Sequence, residues 1–218
     1  DAGPGNLVSI AIAPDTPMLV SANGSHEREH FVVVGRYADG STAPVSPATW
    51  TLDSTAIGDI DRATGAFVSN GQAGGTATVT AMAWGLSAQT VVTVSLRFEY
   101  VEPGAPADAA AQMAGSPGID PAREGGLVYP LDEAYMPQNV QPPDVQWTRG
   151  TLGDLYRVRL VRGLAEIDGY VLHDGAAFGF HWAVPAAAWV VARLGQEHFP
   201  QPSFAAEAPA RTFCSTSR

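Results

Sequence analysis

From Leu7 to about Leu96 the chain repeats one pattern, a short run of alternating apolar and polar residues followed by a cluster of turn residues. A period of two puts successive side chains on opposite faces of an extended backbone, so each run predicts a half-buried β-strand. The runs are LVSIAIA (7–13), HFVVVGRY (30–37), TWTL (49–52), IGDID (57–61), GAFVS (65–69), GTATVTAMA (75–83) and AQTVVTVSL (88–96). Pro14 stops the first, and the turn pair Asp39-Gly40 stops the second. Roughly seven strands at this spacing predict a β-sandwich. No 3.6-residue period competes with that reading in this half.

Residues 97–126 change character, becoming rich in Ala, Pro and Gly without a sustained period, and predict a linker or long loop. Within it, 109–113 could make one helical turn. From Leu127 strand-like runs resume as LVYPL, DVQWT, LYRVRLVRG, EIDGYVLHDG and FGFHWAV. The run PAAAWVVARLG (185–195) is ambiguous: Pro185 and three alanines favour a helical turn, whereas Trp189 to Val191 favour a strand. One more short strand is expected near 203–206. The organisation predicted is all-β: a domain over 1–96, a linker over 97–126 and a second sandwich-like domain over 127–218.

GRYADGSTAPVSPATW (35–50) shows how the first domain is put together. Asp39-Gly40 closes a hairpin, Pro44 and Pro47 are expected to prevent sheet pairing while the chain crosses over, and Trp50 returns as a large apolar plug. The ordered series LVSIAIAP, FVVVGRYADGS with TW, STAIGDIDRATGAFVSNGQAGGTATVTA and a closing VVTV resembles the bacterial immunoglobulin-like group 2 domain. That family is the repeat of invasin- and intimin-type surface proteins, and the resemblance covers about residues 7–96. It implies an immunoglobulin-like sandwich that spaces or presents other domains on a bacterial surface. SPATW departs from the family pattern with its two prolines, in a loop. The second half is matched to no family; a Pro-rich first strand, a Trp-bearing strand and a long alternating one are analogous to an immunoglobulin- or fibronectin-type-III-like sandwich.

Composition narrows the partners. The 218 residues hold 22 acidic against 12 basic side chains, a net charge of −10, and every basic residue is Arg. Nucleic-acid or anionic-membrane binding needs clustered cations, so both are disfavoured. Cys214 is the only cysteine, which excludes an internal disulfide. No apolar run approaches the ~20 residues of a membrane span. The polar opening DAGPGN carries no signal peptide, so an exported protein would be represented here by its mature form or by a fragment of it.

Four groups carry candidate chemistry. HEREH (26–30) satisfies the zinc motif H-E-x-x-H, which needs a helix to bring both imidazoles to one ion. It runs straight into a strand, where His26 and His30 would stand roughly 13 Å apart, so no metal is expected there. Asp59 and Asp61 would share a strand face and are a weak calcium candidate without the regular acidic loop. Arg157 and Arg159 would form a solvent face paired with acidic neighbours. Lastly, Phe178, Phe180 and Trp182 would share a face and could stack on sugar rings, although core packing is the plainer reading. His173 and His181 would lie near each other in a hairpin, but no nucleophile accompanies them.

These observations predict a non-catalytic, exported protein, extracellular or surface-associated with the periplasm as the other compartment. Its partners would be a cell-surface protein or polysaccharide, and it needs no cofactor. The rival reading is a carbohydrate-binding accessory region of a larger secreted hydrolase. Burial or exposure of Phe178, Phe180 and Trp182 separates the two.

Overall fold

Val, Ile and Thr fill the alternating runs, and their branched side chains favour the extended backbone that those runs adopt. A computed structural model describes residues 6–114, 126–130 and 141–189. The chain divides into two units, Asp1–Leu96 and Arg97–Arg218.

In the first unit the strands are β1 (Leu7–Ala13), β2 (Met18–Ala22), β3 (Arg28–His30), β4 (Val32–Tyr37), β5 (Thr42–Pro44), β6 (Thr49–Leu52), β7 (Gly58–Ile60), β8 (Ala66–Ser69), β9 (Gly75–Ala83) and β10 (Leu86–Val101). The last of these continues past Leu96 into the second unit. They form the sheets β1-β4-β5, β3-β8-β7 and β10-β9-β6, with β2 also paired to β10. The long β9–β10 hairpin is in register from Leu86 opposite Ala83 to Val94 opposite Gly75. Alternation sends Val79, Ala81, Val92 and Val94 inward, where they are buried with Phe31, Trp50 and Phe67. That shared interior makes the unit a sandwich.

Trp50 is 3% exposed, with its ring centroid 6.2 Å from that of Phe31. The chain passes over it at Gly65, whose φ is +75°. A Cβ there would stand 2.6 Å from Trp50 Cε2, so only glycine fits both the backbone and the space. Asp39 shapes the hairpin turn by accepting hydrogen bonds from the Ser41 amide and hydroxyl. Pro44 behaves otherwise than its ring suggests. It lies in β5, opposite Val34, on an edge strand where a residue without an N–H is tolerated. The strands β2 and β5 fall outside the predicted runs, as does β3 but for His30.

In the second unit the elements are α1 (Ala109–Gln112), β11 (Gly126–Tyr129), β12 (Asp144–Thr148), β13 (Leu155–Arg162), β14 (Ala165–Leu172) and β15 (His181–Ala183), and residues 186–189 are helical. One sheet is β11-β12-β15 and the other is β13-β14 continued by β10. Between them lies a core of Val145, Trp147, Tyr156, Val158, Ile167 and Trp182, against which Phe98 and Tyr100 pack. On the opposite face of β13-β14, Leu155 and Tyr170 are buried with Ala109 and Met113 of the α1 segment. This unit is a second sandwich. Residues 97–101, expected in the linker, thus continue a strand, because RFEYV keeps the alternation that sends Phe98 and Tyr100 inward. The expected strand near 203–206, residues 190–195 and Cys214 lie outside the described residues.

Candidate functional site

Aromatic rings gather at one end of the second unit's core, and four elements supply them. Trp147 comes from β12, Tyr156 from β13, His173 from the residue after β14, and Phe178 and Phe180 from the segment leading into β15. Tyr156 and Phe178 stack at 5.9 Å between centroids, and His173 stacks on Phe178 at 4.7 Å. Phe180 meets both edge-on at 5.1 Å, and Trp147 packs on Tyr156 at 5.1 Å. The rings therefore contact one another as core side chains do.

Phe178, Phe180 and Trp182 do not line one strand face. Only His181–Ala183 is strand, and Phe180 has a φ of +50°, which turns the chain out of the alternation. Phe178 and Phe180 are half-buried against the core, while Trp182 is 2% exposed. The Trp182 indole N–H donates to the Glu102 carboxylate at 2.8 Å. Its ring lies over Gly169, where a Cβ would approach Cε2 and Cζ2 to 2.5 Å.

Polar groups around these rings are mostly committed to the fold. The buried Asp154 carboxylate accepts from the Thr151 amide at 2.7 Å and from its hydroxyl at 3.1 Å. Tyr156 donates to the Arg149 carbonyl, and His173 Nε2 lies 3.1 Å from the Gly175 carbonyl, a contact that puts the proton on Nε2. Among the described residues, Trp147 Nε1 and His173 Nδ1 are buried without a hydrogen-bond partner. His181, expected near His173, sits instead on the exposed side of β15, where its Nδ1 pairs with Asp144 at 2.7 Å. The two histidines are thus placed in different surroundings.

The second face of the β13-β14 sheet holds the charges. Arg159 makes a two-pronged contact with Asp168 at 2.8 and 3.0 Å and also reaches Glu166 at 2.8 Å. Hydrogen bonding to Asp168 raises the Arg159 pKa above its ordinary value. Arg157 donates to the Met113 carbonyl. Tyr170, opposite Arg157, has its pKa pushed up to about 12, first by burial and then by the negative charges of Asp168 and Glu99. The expected pairing of these arginines with acidic neighbours is seen for Arg159, while Arg157 caps a carbonyl.

The remaining sequence candidates lie in the first unit. His26 Nδ1 is 2.9 Å from the Ser69 carbonyl, and His30 ends β3, with residues 28–30 extended and paired to β8. Extended backbone is the geometry that separates the two imidazoles. Asp61 Oδ1 accepts from the Ala63 amide, the Thr64 amide and the Thr64 hydroxyl, which hold its pKa below the ordinary value, the hydroxyl foremost. Asp59 caps its own successor's amide, Ile60. Among the described residues no group of three or more His, Cys, Asp or Glu is placed to hold a metal ion. Nor is any described helix long and apolar enough to cross a membrane.

No protein-family model matches the sequence, and the search of curated proteins finds no match. Among solved structures, domains 4 and 5 of the S-layer protein SbsC are similar at 20% identity and a TM-score of 0.30, over 40% of this chain and 51% of that one. The chain thus spans about half the length of that structure. SbsC domains 5–6 are similar at 15% identity and a TM-score of 0.30, over 80% of this chain and 85% of that one. Titin domain M7 is similar at 14% identity and a TM-score of 0.28, over 43% of this chain and 98% of that one.

Proposed function

We propose that the chain is a non-catalytic module of an exported bacterial surface protein. Its first unit is an immunoglobulin-like domain of the bacterial group 2 type that spaces or presents a second sandwich, immunoglobulin- or fibronectin-type-III-like. The observation that carries this reading is the burial of Trp182, with its indole N–H bonded to Glu102. A sugar-stacking platform presents its rings to solvent, whereas these rings are packed on one another and on Gly169. This supports the spacer over the carbohydrate-binding accessory region. The carboxylates of Asp39, Asp61 and Asp154 are likewise engaged in turns, which supports a structural use of the loops.

Protease shaving of intact cells of the source organism tests the reading, with fragments of this chain identified by mass spectrometry. Release of its peptides from intact cells is expected. Recovery only after lysis, with a cytosolic marker, would contradict the export claim. Turnover of an ester, peptide or glycoside by the purified chain would contradict the non-catalytic claim.

A further inference from the structure

Successive contacts between the β2 segment and β10 advance together along both strands. The Thr16 amide donates to Thr90 Oγ1 at 3.0 Å, the Thr93 amide to the Pro17 carbonyl at 2.9 Å, and Ser95 Oγ to the Leu19 carbonyl at 3.3 Å. Antiparallel neighbours would count in opposite directions, so this pair is parallel. Thr90 is buried, and its hydroxyl also donates to Asp15 at 3.1 Å, which pins the head of the pair. The chain enters the first unit through β1 and β2 and leaves it along β10, which continues past Leu96.

We propose that the first unit carries tension and that the β2–β10 pair is the clamp that resists it. Tension along the chain draws β2 toward its own start and β10 toward its own end. In parallel neighbours those two directions are opposed, so the strands are driven to slide past each other and every contact is strained at once. Hydrogen bonds near 3 Å are lost by about 3.6 Å, so a slide of under about 1 Å has to break them all together. A load applied across the strands would instead reach the same contacts one after another, each bearing the whole force in its turn. Strand β1 lies upstream on the path but is paired to β4 in a different sheet, so its release leaves the β2–β10 contacts in place. The clamp follows from strand direction alone, whereas its use in a cell rests on the spacer reading.

Single-molecule force spectroscopy on the full chain tests it, with Cys214→Ser removing the native thiol and cysteine handles placed at exposed positions. Handles at Met18→Cys and Val101→Cys, 69% and 42% exposed in the native chain, pull β2 and β10 along their length. Handles at Met18→Cys and Thr76→Cys pull across them, because the exposed Thr76 of β9 stands opposite Thr93 of β10. The lengthwise pair is expected to give the higher unfolding force at every loading rate. Thr90→Val and Ser95→Ala should each lower that force, and Ser95→Ala, which removes one half-exposed hydroxyl, carries the test if Thr90→Val does not fold. Ile60→Val in β7 should lower stability in urea yet leave the lengthwise force unchanged. Forced unfolding reads the barrier, and the packing of Ile60 is still intact when the clamp gives way. Equal forces in the two geometries, a lengthwise force unmoved by the clamp variants, or a loss with Ile60→Val as large as with the clamp variants overturns the proposal. Each of those results concerns the purified chain and leaves the export claim standing, which protease shaving tests separately.

Discussion

Gly169→Ala is the sharpest probe of the second core. The residue is interior to β14, opposite Val158, and its backbone is extended, so an alanine would meet no conformational objection. The objection is steric. A new Cβ would lie 2.5 Å from Trp182 Cε2 and Cζ2 and 2.8 Å from Cδ2, against ordinary carbon contacts of about 3.5–4.0 Å. Trp182 cannot easily withdraw, being 2% exposed and held by Glu102. Overpacking of that kind costs about 2–3 kcal/mol, while Gly→Ala stabilises by about 0.4–1 kcal/mol through the unfolded chain. A net loss of about 1–2.5 kcal/mol follows. Urea unfolding read by circular dichroism would measure it, with the m value checked for constancy. Trp182→Leu removes Cε2 and Cζ2, the atoms of closest approach, so in that background Gly169→Ala should be neutral or stabilising, a coupling of at least about 1 kcal/mol. Equal losses in both backgrounds, or no loss in the native one, would refute the packing argument.

Other outcomes follow from the same structure. Trp50→Ala should cost on the order of 3–5 kcal/mol, measured by denaturation of residues 7–96 expressed alone; a segment that gives a random-coil spectrum would show that it does not fold independently. Tyr170, raised to about 12 from an ordinary 10.0, contributes stability that is fully present below pH 10 and lost as pH rises toward 12. Absorbance titration should therefore lose its highest tyrosine phase in Tyr170→Phe, and a phase that persists would contradict the assignment. The purified protein should contain no stoichiometric zinc, and His26→Ala or His30→Ala should change stability only slightly; zinc that vanishes with either variant would revive the metal site.

The regular part of this fold was legible because long alternating strands announce their own inner faces. GTATVTAMA and AQTVVTVSL place Val79, Val92 and Val94 inward, and the structure buries all three. Some short elements were not legible, although β6, β7 and β8 were. MLVSA of β2 is five residues, and TAP of β5 ends on a proline that pairs only because the strand lies at an edge. At 97–101 the alternation of RFEYV was present, yet the neighbouring Ala, Pro and Gly masked it. The shared strand face expected of Phe178, Phe180 and Trp182 is absent for a different reason. Counting by twos through 178, 180 and 182 assumes continuous strand, and the φ of +50° at Phe180 breaks the count. Gly175 and Gly179 are the local marks of a break there, while Phe178 packs on rings from β12, β13 and the end of β14. Trp182 faces inward because His181 and Ala183 take the exposed positions of β15 opposite β12.

Whether those rings are core or platform decides between the two functional readings, and an equilibrium binding isotherm on insoluble cell-wall glycans tests it most directly. The full chain and Phe180→Ala, which alters a half-buried ring without removing the buried Trp182, would be compared after circular dichroism shows both folded. The spacer account predicts no saturable binding by either protein. Saturable binding by the native chain, lost in Phe180→Ala, would contradict it and make the carbohydrate-binding reading the better one.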